Sequence, residues 1–592
     1  LDNPRNIILA VVLCGALLLG WDFVIGRLYP EPPPSQVAAT AAPAAGEHAQ
    51  KIKRTREGGL TDPTEIAEEA RDLTSALSTA GRVPIDGPDI AGSINPVGAR
   101  IDDISLKDHR QTVEKDSGPV RLFSPSGTPA MEFAQFGWVG GEGAAGIKLP
   151  DANTVWTVQG ARLTQTTPVT LTWDNGQGQR FTIHFAIDAK YLITATQTVA
   201  NTGTGPVVVR PYAFLSRTSR TASQDTWNVH SGPIGAFDGA VDFDWNYDDV
   251  AEARTVNMAG RPDWLGFTDI YWLSALVAQE GAKPEAAFRA LGKDAFRADL
   301  IYQPLTVAQG SQVTRTTRLF AGAKESGVLA DYERTGITNF SRTIDWGWFE
   351  IIEKPILWLL KHLFALVGNF GIAIMLLTVI IRGLMFPVAQ KQFASMAGMR
   401  AVQPKMKALQ ERFKDDKVQL QQEMAKLYKS EGVNPLAGCL PLLLQIPIFF
   451  ALYKVLLLSI EMRHQPFALW IRDLSVPDPA HILNLFGALP FDVPGLLAIG
   501  PFALLLGITM FLQFKLNPAQ MDPVQQQMFM FMPWIMMFIM APFAAGLLLY
   551  WCTSNVLTIG QQWYLYSRHP QLKAQTDKDK TDHERAKARE TK

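Results

Sequence analysis

From about residue 366 to 566 the chain repeats long apolar runs, at 366–387, 436–460, 495–515, 524–541 and 545–566. An α-helix rises 1.5 Å per residue, so about 20 apolar residues cover a hydrocarbon layer of roughly 30 Å. Lipid offers the backbone no hydrogen-bond partner, which leaves helices as the structure such runs take. The last two runs form one stretch about twice the membrane thickness, broken only at "APFAAG" (541–546). A tight hairpin with Pro542 and Gly546 at its turn accounts for that length.

A sixth run, "NIILAVVLCGALLLGWDFVIGRLY" (6–29), lies near the start. A secretory signal would have a shorter apolar core and a nearby small-residue cleavage site. Here the nearest A-x-A pattern, Ala39-Thr40-Ala41, lies well beyond the run, and Cys14 follows Leu13, against lipoprotein processing. Residues 1–29 are expected to be an uncleaved transmembrane anchor. Residues 30–91, rich in Pro, Ala and charge, read as a flexible linker that cannot bury enough apolar area to order itself. From 92 to 340 the pattern changes to short alternating stretches such as "RFTIHFAI" (180–187) and "YLITATQTV" (191–199), separated by "DNGQGQ" and "NTGTGP". Many strands joined by turn residues predict a large antiparallel β-sandwich. Residues 341–365, with aromatic and Lys/His tips among apolar positions, suit an interfacial amphipathic helix.

Lysine and arginine placement sets the topology. Nine basic residues crowd 388–435 and eight the tail at 567–592, while the connection 461–494 has Arg463 and Arg472 against four acids. The first two segments are expected in the cytoplasm, together with both termini, and residues 30–340 on the far side, which in a bacterium is the periplasm beyond the inner membrane. The whole-chain net charge of −1 gives no nucleic-acid reading. Three cysteines inside apolar runs, with no CxxC or Cys/His spacing, point to neither a disulfide framework nor a zinc site.

An arginine interrupts the first of the apolar runs: Arg382 in "MLLTVIIRGLMFP" (375–387). A guanidinium stays protonated even in a poor solvent for ions. The surrounding aliphatic residues outweigh roughly 3 kcal/mol for one central arginine, so the segment still inserts, with the arginine turned to a bundle interior or to water. Snorkelling to headgroup phosphates is the rival reading. The last run places Trp551, Asn555, Thr558 and Gln562 on one helical face, with Ser554 and Gln561 beside it. Gln445 between Pro441 and Pro447, and Thr378 one turn before Arg382, add polar groups on two other runs. None of these spans holds an acid to pair with Arg382, so a wet cavity is expected beside it in place of a salt bridge. Interhelical hydrogen bonding is the plainer role for such a stripe. The run at 524–541, with "MFMFMPWIMMFIM" (528–540), has the pliable methionine surface that suits varied apolar partners.

The 388–435 segment repeats apolar residues at +3 and +4 (Met399, Val402, Met406, Leu409, Phe413), then again at Leu420, Met424 and Leu427. This predicts a cytoplasmic helical hairpin with a basic outer face, with Pro404 kinking or restarting its first helix. Lys454 is expected to snorkel outward. No HExxH, GxSxG, Walker or GxGxxG pattern is present, and His109, His184 and His230 have no metal or acid/base spacing. No cofactor, metal or catalytic residue is expected.

The stretches "VGNFGIAIMLLTVIIRGLMFPVAQKQFASMAGMRAVQPKMKAL", "YKSEGVNPLAGCLPLLLQIPIFFALY", "PFALWIRDLSVPDP", "DPVQQQMFMFMPWIM" and "GLLLYWCTSN" resemble the YidC/Oxa/Alb-type membrane protein insertases, in the long Gram-negative form. The match is close over about 340–566 and weaker in the β-domain. It implies a multi-domain membrane protein: an N-terminal anchor, a periplasmic β-supersandwich related in fold to sugar-mutarotating enzymes, a five-helix transmembrane core (366–566) and a charged tail. It implies a non-enzymatic insertase and chaperone for nascent inner-membrane proteins, alone or with the Sec translocon, in contact with membrane lipids. The basic hairpin and tail would offer a surface to ribosome or signal recognition machinery. Arg382 matches the family's groove arginine, and Thr378, Gln445, Tyr550, Trp551 and Asn555 fall at or near groove positions. Thr558 and Gln562 extend that face. Pro447, Met530, Met536 and Met537 stand on the two spans along which a substrate would slide into lipid. Trp551 replaces a tyrosine common in relatives, and Lys454 departs from the family pattern. The rival readings are a small-solute transporter, for which no repeated halves are visible, and a membrane-anchored periplasmic carbohydrate-active protein, which would need converging carboxylates in the β-domain.

Overall fold

The computed structural model describes residues 54–568, apart from 115, 142–145, 227, 293, 414–415, 433–439, 487, 490, 492, 494–496 and 517–522. The expected N-terminal anchor (1–29), the first part of the linker and nearly all of the charged tail lie outside the described residues.

Two antiparallel sheets build the domain between residues 83 and 323. A ten-stranded sheet centres on Glu132–Gly140 and Val207–Thr218, and a nine-stranded sheet on Ser311–Ala323 and Leu192–Asn201. The alternation read from "RFTIHFAI" becomes strand Gln179–Ile187, buried at every second residue and paired with Leu192–Asn201 from Gln179↔Asn201 to Ile187↔Ile193. Period-two patterning puts Phe181, Ile183 and Phe185 on the core face. Trp264, Phe267 and Phe288 pack in the same interior.

Order begins earlier than the linker reading allowed. Helix α1 (Pro63–Leu77) and strand Val83–Asp86 both lie inside 30–91. Asp62 caps α1, accepting from Thr64 N at 2.8 Å, and Pro63 stands at its first turn. The helix buries no residue fully; it is fastened by Glu65 to Arg220 at 2.7 Å and by Glu69 to Ala130 N at 2.8 Å. Composition averaged over 62 residues hid this short capped segment.

Short helices α2 (Tyr247–Ala253) and α3 (Ser326–Arg334) decorate the sandwich. The C-terminal part is helical: α4 (Glu350–Val367), α5 (Phe370–Leu384), α6 (Phe386–Arg412), α7 (Lys417–Ser430), α8 (Leu440–Leu458), α9 (Pro501–Leu516), α10 (Pro523–Met540) and α11 (Ala545–Arg568). The chain turns between α10 and α11 at 541–544, where the apolar stretch was expected to fold back. Helix α6 runs unbroken through Pro404, against the expected kink or restart; the chain instead bends by 53° between α5 and the start of α6, where Pro387 fills an N-terminal position.

Among the described residues no single helix is long and apolar enough to cross a membrane; α5 with Phe386–Gln392 passes only as a bent pair. The apolar parts Leu444–Leu458, Pro501–Lys515 and Met530–Met540 are shorter than 18 residues. Helix α11 has 24 residues, but Thr, Ser, Asn and Gln side chains dilute its hydropathy.

Residues 459–500 gather the helix ends on one side of the bundle. Phe467 O accepts from Asn369 Nδ2 at 2.8 Å at the start of α5, and Leu474 O accepts from Gly546 N at 2.9 Å at the start of α11. The sandwich rests on the same end. Arg463 bonds Glu57 at 2.5 Å and the carbonyl of Arg110 at 2.8 Å, while Arg56 donates to Tyr271 Oη at 2.7 Å and Leu457 O at 2.8 Å. The strap 54–60 is thereby held by both parts.

Candidate functional site

Arg382 stands near the C-terminal end of α5 and faces α11. Its Nε donates to Ser554 Oγ at 2.9 Å, and Nη2 bonds the same hydroxyl. Among the described residues it forms no ion pair. Beside it lies a cavity of about 540 Å³ whose walls come from α5, α6, α8, α9, α10 and α11. Gln445, Tyr550, Trp551, Asn555, Thr558 and Gln562 all line it. Gln445 Nε2 donates to Tyr550 Oη at 2.6 Å, and Asn555 Nδ2 to Thr509 Oγ1 at 3.1 Å. Gln445 Oε1 and Gln562 Oε1 are buried acceptors without a protein partner. A charged donor and orphaned acceptors on one side of a cavity of this size are the setting in which water is retained.

The remaining wall is apolar. Phe449 meets Trp551 edge to face at 5.0 Å, and Met510, Met532 and Met536 complete that side. The helical spacing of α11 brings Trp551, Asn555, Thr558 and Gln562 to the cavity together, since residues four apart share a face, and the apolar side comes mainly from α8, α9 and α10.

Four residues named for the site do not line the cavity. Thr378 is fully buried, and its Oγ1 donates to Ile374 O at 2.7 Å within α5; one turn along a helix shares a face, but the neighbouring helix closes over it. Met537 packs against Gly507 of α9, Met530 points outward, and Pro447 lies off the wall. Sequence reasoning passed over Gln392 and Gln513, which do line it. A lone glutamine in "FLQFKL" was the available signal for Gln513. Ser554 was seen only as a neighbour of the stripe, although it is the arginine's hydrogen-bond partner. Lys454 does not snorkel outward: it is buried and donates to Asp345 O at 2.7 Å, joining α8 to the segment before α4.

The β-domain offers a different chemistry. A second cavity, of about 550 Å³, lies under α1 with Ile66, Ala70 and Leu73 on its roof. On its floor Arg217 bridges two buried carboxylates, Glu132 at 3.3 Å and Asp269 at 2.5 Å. Burial pushes the Glu132 carboxyl up to about 7, opposed by Arg217 and by the Ser274 hydroxyl. Both acids are engaged by the guanidinium. His109, His184 and His230 lie apart, beside Glu325, Thr170 and the Pro233 carbonyl respectively. Among the described residues, Glu57, His464 and Asp473 are the one group close enough to share a metal ion. Arg463 already neutralises Glu57, and Asp473 accepts from Ser475 N at 2.7 Å, so the group forms an ion-pair network.

A profile described as "60Kd inner membrane protein" matches residues 362–573, and one described as "YidC periplasmic domain" matches 82–359. The membrane protein insertase YidC of Zymomonas mobilis is 41% identical over 571 residues, 96% of each chain. That of Nitrobacter hamburgensis is 43% identical over 589 residues, again 96% of each. The chain belongs to the YidC family. A crystal structure of an active YidC insertase with its first transmembrane domain resolved aligns at 19% identity and a TM-score of 0.36, covering 82% of this chain and 93% of that one. The two family profiles and the two relatives span both the sandwich and the helical part, so the chain is a membrane protein insertase of the inner membrane with a periplasmic domain.

Proposed function

We propose that the cavity beside Arg382 is the groove through which this insertase passes new inner-membrane proteins into the bilayer. In this reading α5 with the start of α6, α8, α9, α10 and α11 span the membrane, residues 6–29 add a sixth span, and both termini lie in the cytoplasm with the hairpin α6–α7. The domain limits read from the sequence belong to the same proposal, with the sandwich beginning near residue 82. The observation that carries the reading is Arg382, a permanent charge facing a cavity with a hydroxyl and, among the described residues, no acid as its partner.

The physics follows from that charge. A hydrated guanidinium attracts the acidic or polar extramembrane part of an arriving chain and shortens the lipid path it must cross. The membrane potential, positive outside, adds about 2.3 kcal/mol per negative charge per 100 mV to an acidic tail moving outward. The apolar segment meanwhile meets Phe449, Met532 and Met536 on the other wall. Pliable methionines accept side chains of varied shape there. Cooperation with the Sec translocon, and docking of ribosome or signal recognition machinery on the basic hairpin and tail, are consistent with the charge of those segments.

Reconstituted with substrates that differ only in the charge of the translocated tail, Arg382→Ala should impair acidic tails more than neutral ones. Equal insertion of both in energised proteoliposomes would remove the electrostatic part.

A further inference from the structure

The connection from α8 to α9 ends in a turn whose apolar side chains are left exposed among the described residues. Its base is firmly held. Asp478 accepts from Trp470 Nε1 at 2.9 Å, Ala480 N at 3.1 Å and Phe502 N at 3.2 Å, the last in the first turn of α9. Ile482 N donates to Ile499 O at 3.0 Å, and Phe486 N to His481 O at 2.8 Å. From this platform Leu483, Leu485, Phe486, Leu489 and Phe491 project outward, Phe486 at 62% exposure. Leu485 and Phe486 adopt φ of 51° and 60°, a left-handed conformation such residues rarely take. No Asp, Glu, Lys or Arg occurs from 479 to 491.

An uncharged apolar patch facing water is an aggregation hazard. A protein partner would be expected to find a polar rim and a pattern of hydrogen-bonding groups around it. Among the described residues the exposed side chains of this turn are aliphatic and phenyl groups, with the half-buried Asn484 its one polar side chain, at the end of a bundle that belongs to an inner-membrane family. Helix α9 starts from the same platform and exposes Leu505, Ile508 and Leu512 along one face, so lipid-facing surface begins a few residues away. We infer that the apolar side of this turn, Leu483, Leu485, Phe486, Leu489 and Phe491, dips into the leaflet on the β-domain side, with Leu485 and Phe486 among the upper acyl chains. It anchors the α8–α9 connection, and through Asp478 the start of α9, to the bilayer. The inference rests on the reading that α9 spans the membrane.

The test uses the full chain in lipid vesicles, with Cys14, Cys439 and Cys552 replaced by serine and one new cysteine carrying an environment-sensitive fluorophore. Phe486→Cys reports the turn, Leu483→Cys repeats the measurement should the first variant fold poorly, Leu505→Cys reports α9, and Gln312→Cys reports the exposed sandwich. Quenching at 486 and 483 by lipids spin-labelled near the headgroup, with quenching at 505 by lipids labelled deeper and none by either at 312, is the expected result. Quenching at 486 and 483 by aqueous iodide, with 505 still quenched by lipid, overturns the insertion alone. Protection at 486 and 483 from both quenchers means that protein covers the turn, and overturns it as well. Iodide quenching at 505 overturns the spanning of α9 and the insertion with it.

Discussion

Arg382 and Ser554 meet across 172 residues of sequence, guanidinium to hydroxyl at 2.9 Å, and no carboxylate joins them among the described residues. The hydroxyl satisfies part of the donor fork without cancelling its charge, which leaves the positive field open to the cavity.

Changing the partner therefore separates charge from geometry. Ser554→Ala removes an acceptor, shared by Nε and Nη2 of Arg382, that water can replace in a wet cavity, and should lower insertion of acidic-tailed substrates only slightly. Ser554→Asp places an acid against the guanidinium in a charge-assisted pair of about 1.5 to 3 kcal/mol. It should reduce insertion of those substrates several-fold, approaching Arg382→Ala. Insertion yield in proteoliposomes distinguishes the two, and full activity of the aspartate variant would contradict an open charge.

The strap should matter to stability more than its length suggests. Arg56 donates to Tyr271 Oη and to the carbonyls of Leu456, Leu457 and Ser475. Arg56→Ala leaves those acceptors without their donor, at a cost of about 1 to 3 kcal/mol. A lower thermal midpoint in detergent, with earlier proteolytic cleavage near residue 60, is the expected outcome.

Gly371 in α5 has no room for a methyl group: a Cβ there would stand 2.0 Å from the Phe467 ring. Gly371→Ala should displace Phe467 and loosen the loop that caps the bundle, costing about 1 to 3 kcal/mol. Pairing it with Phe467→Leu should restore part of the loss, read as a double-mutant cycle of thermal midpoints.

The Glu132 carboxyl predicts a pH dependence. Its folded value of about 7 lies above its ordinary value of 4.5, so the folded protein holds the proton longer than the unfolded chain. Stability from this group therefore falls as pH rises from about 4.5 to about 7 and is level above that. Denaturant midpoints of the full chain at pH 5 and pH 8 should differ less in Glu132→Gln than in the parent, because the amide does not titrate.

Local pattern made much of this architecture legible. Period-two alternation marked strand Gln179–Ile187 because its two faces meet different surroundings. The spacing of Trp551, Asn555, Thr558 and Gln562 marked the polar face of α11 because a helix repeats every 3.6 residues. The capped helix α1 was missed because its order depends on Arg220 and the Ala130 amide, distant in sequence. Thr378 and Lys454 were misplaced for a related reason: a helix position gives direction, but only neighbouring helices decide whether that direction meets a cavity, an adjacent wall or a partner.

By itself the sequence determined that a charged residue would sit within apolar helices, that a β-sandwich would precede them, and that no acid in those runs was available to Arg382. These are properties of composition and period along one chain. Only the tertiary structure decided that Ser554 is the arginine's partner, that a cavity of about 540 Å³ opens beside it, and that Arg56 and Arg463 fasten the sandwich to the end of the bundle. Those are contacts across hundreds of residues, fixed by packing that no local pattern encodes.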